Sequence, residues 1–167
     1  DRKIRQSIAA FSQDGLHFDL GQSRAWQPTR ADTWCGWVWN AQGGFYQIHT
    51  RPVHVDRRIS LVTSQDLEEF APAVTVLQPD AFDPPGTEFY TMPADPYEDL
   101  FIGQLHLFST DLFEEKRRVK MAGRMQTHLT YSYNGLNWYR TSREPFIPTR
   151  EYGVLGGGQV YGMEMLR

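Results

Sequence analysis

Three stretches of the chain follow one pattern: Phe11 to Phe18 (FSQDGLHF), Thr63 to Phe70 (TSQDLEEF) and Tyr131 to Trp138 (YSYNGLNW). Each places a Ser, skips one residue, places an Asp or Asn, skips three and ends on an aromatic: Ser12/Asp14/Phe18, Ser64/Asp66/Phe70 and Ser132/Asn134/Trp138. Ordinary residue usage would produce this pattern by chance on the order of 0.1 times in a chain of this length, so three copies mark an internal repeat. The serines are 52 and 68 residues apart. That is the length of one four-stranded propeller blade and too variable for a stiff solenoid.

The pattern fits a tight turn between strands. A short carboxylate or amide accepts from backbone N–H groups of its own turn, and a following Gly takes positive φ without steric cost. Gly15 and Gly135 stand at that place in the first and third copies, whereas the second has Leu67 and must use another turn or strain one residue. The terminal aromatic is expected to anchor the turn to its sheet.

Strand-length runs surround each copy in the same order. Between the first two lie TWCGWVWN (33–40), FYQIHTR (45–51) and RRISLVTS (57–64), and APAVTVLQ (71–78) follows the turn. The second unit runs EFYTM (88–92), a turn PADPYE, LFIGQLHLF (100–108), GRMQTHLTYS (123–132) and, past the third copy, WYRTS (138–142). These are aromatic and β-branched runs separated by turn signals, and no segment has the period of an amphipathic helix. The fold class expected is therefore all-β: a β-propeller of four-stranded antiparallel blades, five-bladed, forming a single domain over 1–167. On this reading the chain holds two full blades and parts of two others, starting within or before a third strand and ending in a first strand, GVLGGGQVYGM. Blade boundaries fall near 21–31, 78–87 and 143–152. An open arc leaves uncovered sheet faces, so the rest of the propeller or a self-association partner is expected.

Composition excludes some functions. A net charge of -3 with both signs mixed gives no reason to expect nucleic acid or a membrane surface as partner. Cys35 is the single cysteine, which rules out an intrachain disulfide and Cys-based zinc spacing. The histidines His49, His106 and His128 fall in strand runs and read as structural residues, so no metal ligand set and no cofactor are assigned, beyond at most a structural calcium in the funnel. Localisation is left open.

In a meander the chain reverses at each turn. The linkers Gly21 to Ala31 and Gln78 to Thr87, the loop Pro52 to Asp56 and the charged loop Ser109 to Ala122 then share one end, and the Ser/Asp turns share the other. An acid opening an inner strand points from the first end toward the axis. Counting forward from Phe18 and Phe70 gives Asp32, before Thr33 and Trp34, and Glu88, before Phe89 and Tyr90.

The order RPVHVDRRISLVTSQDLEEF, VLQPDAFDPPGTEFYTMPADPYEDLFIG and LTYSYNGLNWYRTSREPFIP resembles the five-bladed propeller superfamily of glycoside hydrolases, which holds the invertases, levansucrases and arabinanases. The resemblance implies a carbohydrate substrate, here a furanoside or related glycoside, cleaved through carboxylates from successive blades. By blade position Asp32 resembles the acid that orients the sugar and Glu88 the general acid. The base or nucleophile would precede Asp1. Trp34, Tyr90 and Tyr97 are candidates to stack on a sugar ring and Arg51 to hold its hydroxyls, while desolvation beside Phe89 and Tyr90 suits Glu88 to hold a proton. A non-catalytic sugar-binding or scaffolding propeller is the alternative. A sialidase-type propeller ranks below both, because Arg51, Arg58 and Arg124 do not occupy equivalent inner-strand positions.

Overall fold

A computed structural model describes residues 7–27, 36–51, 57–110, 113–114, 117–118, 123–163 and 165. Its strands are β1 (Ser7–Ala9), β2 (Arg24–Gln27), β3 (Gly36–Asn40), β4 (Phe45–Thr50), β5 (Ile59–Ser64), β6 (Val74–Leu77), β7 (Glu88–Thr91), β8 (Ala94–Tyr97), β9 (Leu100–Ser109), β10 (Phe113–Glu114), β11 (Arg117–Arg118), β12 (Arg124–Ser132) and β13 (Tyr139–Arg140). The one helical element among the described residues is a single 3₁₀ turn at Leu20–Gln22, and no described helix is long and apolar enough to cross a membrane. The fold is all-β.

Two antiparallel sheets carry the structure. β3, β4, β5 and β6 pair in chain order. The second sheet runs β13-β12-β9-β7, with β8 continuing along β9 where β7 stops. A smaller sheet pairs β1 with β2.

Each Ser/Asp stretch joins the last two strands of its sheet, and all three make the same turn. The amides of Gly15, Leu67 and Gly135 donate to the serine hydroxyl three residues earlier at 2.9, 2.8 and 2.8 Å. The next two amides donate to one side-chain oxygen of Asp14, Asp66 or Asn134 at 2.8–2.9 Å. A single acceptor oxygen does this work, which is why Asn serves as well as Asp. Leu67 adopts the turn at φ 63, close to the 74 of Gly15 and Gly135, so the second copy keeps the turn and strains the residue.

The aromatic that ends the pattern packs between sheets. Trp138 is buried and joins Phe89, Met92, Leu105 and Leu107 of the second sheet to Ile59 of the first. Its indole N–H donates to the Gly135 carbonyl at 2.9 Å. Phe70 packs one layer earlier, against Ile48, Val62 and Ala9. Phe18 is exposed. The third turn also docks on the first sheet, where the Asn40 amide donates to the Asn134 carbonyl at 2.8 Å.

Two expectations about strands change. The turn at PADPYE is instead a break: β7 stops at Thr91, the Pro93 carbonyl accepts from the Gln104 amide at 2.8 Å, and β8 carries on to a two-residue turn at Glu98–Asp99. Proline lacks the N–H a ladder needs, so the irregularity falls at Pro93, while Pro96 is tolerated because β8 is an edge strand. The run GVLGGGQVYGM does not open a new inner strand. Gly153, Gly156 and Gly158 take φ of 91, 80 and 87, which a strand cannot use. The segment instead lies along the outer edge of β12, with the Met125 amide donating to the Gly158 carbonyl and the Val160 amide to the Met125 carbonyl, both at 2.9 Å.

Candidate functional site

β4 ends and β5 begins around one loop, so Arg51 and Arg57 emerge at the same end of the first sheet. The second sheet presents the start of β7 there. The Phe89 amide donates to the Arg57 carbonyl at 3.1 Å, which fixes Glu88 beside that loop.

Five side chains converge as a result. Arg57 Nη1 donates to Glu88 Oε2 in an ion pair whose side chains are 17% and 8% exposed. Arg51 Nη2 donates to the Tyr90 carbonyl at 3.1 Å. Both guanidinium groups also lie over the Tyr90 ring, their Cζ atoms 4.6 and 5.0 Å from its centroid, and Arg57 reaches the Phe108 ring at 5.7 Å. Each of these aromatic contacts contributes about 0.5–1 kcal/mol, more where water is excluded. Tyr161 completes the group. Burial first, and then the neighbouring Tyr90, push its phenol above the usual tyrosine range, with Arg57 opposing. Its ring stands edge-on to His106 at 5.1 Å and its hydroxyl donates to Gln159 Oε1 at 3.1 Å.

Of the residues expected to form a site, Arg51, Glu88 and Tyr90 meet here. Asp32 and Trp34 lie outside the described residues, as do Cys35 and the loop 52–56. Tyr97 ends β8, paired with Leu100 and 47% exposed, so it is not brought to this cluster. The carboxylate of Glu88 is engaged by Arg57 rather than enclosed by aromatics alone.

The nearby acids separate by what holds them. The Asp83 side chain is 3% exposed and accepts from Arg140 Nη1 at 2.5 Å and from Arg143 Nη1 at 3.1 Å. Arg143 Nη2 also binds Asp80 at 2.6 Å, and this bond, ahead of the Phe82 amide, holds the Asp80 carboxyl below the usual range. Asp83 therefore fastens the linker that leads into Glu88. Asp95 accepts from the Met165 amide at 2.9 Å, and Asp99 is exposed in the β8–β9 turn.

The histidines are spread through the fold. His49 stands edge-on to Trp138 at 4.9 Å, and His106 bonds the Gly162 carbonyl through Nε2 at 2.7 Å. Among the described residues no three His, Cys, Asp or Glu side chains form a metal-binding group.

Two members of the cluster, Arg57 and Tyr161, had not been singled out in the sequence. Arg57 is the first residue of a strand run bordering the loop, a position equivalent to that of Arg51 on the other side. Tyr161 lies in a glycine-rich run whose path is set by backbone conformation.

The chain matches no known family profile and no curated protein. Its structure is similar to the crystal structure of an N-acetylgalactosamine deacetylase from F. plautii in complex with blood group B trisaccharide, with a TM-score of 0.59 and 16% identity. The match covers 78% of this chain and 35% of that one, so this chain spans about a third of that protein's length. At this identity the likeness is one of fold.

Proposed function

We propose that this chain is the sugar-handling arc of a carbohydrate-active β-propeller. The saccharide binds at the end of the sheets where Arg51, Arg57, Glu88, Tyr90 and Tyr161 converge. That convergence carries the reading: it offers a fork of donors, an acceptor and phenol groups, half-desolvated, at the mouth of an inner strand, which is the make-up of a polar-ligand site. The stacking of successive four-stranded sheets supports the propeller, and the structural neighbour, an N-acetylgalactosamine deacetylase in complex with a trisaccharide, supports the ligand class.

The reaction we assign is hydrolysis of a furanoside or related glycoside, with Asp32 and Glu88 as the acids. Cleavage needs a proton for the leaving oxygen and an ionised carboxylate for the oxocarbenium-like state. To act as the acid Glu88 must exchange the Arg57 ion pair for a proton taken from solvent, and saccharide hydroxyls placed against that guanidinium would take the carboxylate's place. The ion pair equally suits a second reading, a sugar-binding site in which Glu88 only orients Arg57.

The test uses the complete protein with oligosaccharides, following both reducing ends and free acetate. For the hydrolase, D32N and E88Q each lower kcat by at least about a hundredfold in protein that remains folded, E88Q with a lowered melting temperature because Arg57 loses its carboxylate. Full turnover in both variants overturns the assignment of the acids. Binding without any product favours the second reading, and acetate without reducing ends replaces glycoside hydrolysis by deacetylation.

A further inference from the structure

The opposite end of the second sheet carries a cluster that the candidate site does not use. Tyr131 lies in β12 and Tyr133 follows Ser132 in the turn, and the β12–β13 register sets Tyr139 directly opposite Tyr131. The three rings touch: Tyr131 meets Tyr133 edge-to-face at 5.7 Å and Tyr139 at 5.6 Å with planes 33° apart. Tyr133 is 66% and Tyr139 53% exposed.

The internal repeat shows that folding does not require them. The equivalent positions are Phe11, Gln13 and Asp19 in the first copy and Thr63, Gln65 and Ala71 in the second. The second copy keeps the same backbone pairing, with the Ala71 amide donating to the Thr63 carbonyl at 2.9 Å. In both copies this locus is an open groove, of about 720 Å³ in the first and about 430 Å³ in the second. The second groove stays open although the next sheet is stacked on its own. A further sheet packed in the same way would therefore leave the tyrosines uncovered.

We infer that Tyr131, Tyr133 and Tyr139 form an auxiliary binding platform for a neutral polysaccharide chain, separate from the candidate site. The patch carries no charge, so recognition is by stacking, and a tyrosine ring offers a flat apolar face with a polar rim at little entropic cost. Such a surface matches the C–H face and hydroxyl edge of a sugar ring. The area also favours a saccharide over a protein. Three aromatic side chains of roughly 150–250 Å² each, about half exposed, supply some 300 Å², against the ~800 Å² per partner of a stable protein interface.

Native affinity electrophoresis of the complete protein through gels containing arabinan, levan or arabinoxylan tests this. At least one polymer should retard the wild type, Y133A/Y139A should bind it about tenfold more weakly, and Y133F/Y139F should bind as wild type because the rings persist. E88Q should leave the retardation intact while changing oligosaccharide handling, which separates this platform from the proposed site. If the double alanine variant is unstable, Y133A alone serves, since Tyr133 is the most exposed ring of the three. Equal retardation of the alanine variants, no retardation of wild type by any polymer, or a shift of the alanine variants from dimer to monomer in sedimentation would each overturn the inference.

Discussion

At the scale of single residues, the three turns form a controlled comparison inside one molecule. Gly15 and Gly135 share a φ of 74, but a Cβ on Gly15 would meet nothing within 4 Å, whereas one on Gly135 would collide with Gln47 Oε1 and the Asn40 amide. Gly15→Ala should therefore cost only the backbone penalty of about 1 kcal/mol, and Gly135→Ala at least about 2 kcal/mol, because it also undoes the docking of the turn on the first sheet. Leu67→Gly relieves the same strain and should stabilise by about 1 kcal/mol. Urea unfolding checks all three: the midpoint moves in the stated direction at unchanged slope. The turn itself was legible because its acceptors must stand at fixed offsets from the amides they serve. The collision at Gly135 was not, since Asn40 and Gln47 belong to another sheet.

At the scale of elements, the linker 78–87 decides where β7 begins. It is folded on itself: the Asp80 amide donates to Asp83 Oδ2 at 3.0 Å, the Phe82 amide to Asp80 Oδ1 at 2.9 Å, and the Thr87 amide to the Pro84 carbonyl at 3.1 Å. Asp83 then hooks Arg140 of β13, whose guanidinium lies 5.5 Å from the ring centroid of the fully buried Phe89, next to Glu88. Asp83→Ala strands the buried Arg140 charge and should destabilise by about 3 kcal/mol, and Asp83→Ala with Arg140→Leu should recover part of that loss. A double-mutant cycle by thermal or urea unfolding measures the coupling, and additivity of the two single changes would refute the latch. Counting along the sequence found this linker and the acid after it. It could not say which of several nearby carboxylates is structural, because the partners of Asp83 lie 57 and 60 residues downstream. The same limit hid Arg57, whose value comes from the sheet it faces rather than from any local pattern.

At the scale of the whole molecule, stacking sheets face to face buries polar residues that strand alternation would turn to solvent. In FYQIHT the alternation sets Gln47 and His49 opposite the apolar Ile48, yet the second sheet covers that face, and Gln47 and His49 are 0% and 2% exposed. The repeat thus revealed the layers but not what lies between them. Neither ring nitrogen of His49 or of His128, which is 3% exposed, has a hydrogen-bond partner among the described residues. Burial pushes the His49 imidazole down to about 3; burial, and then Arg140, push His128 down to about 4. Both are therefore neutral in the fold across mildly acid pH, while the unfolded chain takes up protons near pH 6.5. Below that value the unfolded state binds more protons, so stability is full above about pH 6.5 and falls as pH drops toward the folded values. Two such residues give a slope of about 2–2.5 kcal/mol per pH unit between pH 6 and 4.5, and His106, lowered chiefly by its burial, adds in the same sense. The carboxylates act elsewhere: Asp66 and Asp80 are held below the usual range by turn amides and by Arg143 respectively, and what they contribute is lost only as pH falls below about 3.8. His49→Phe keeps a ring against Trp138 and removes one site of proton uptake. Urea unfolding at pH 6, 5.5, 5 and 4.5 should show its slope reduced by about half of the two-histidine value, and an unchanged slope would mean that His49 takes up its proton within the fold.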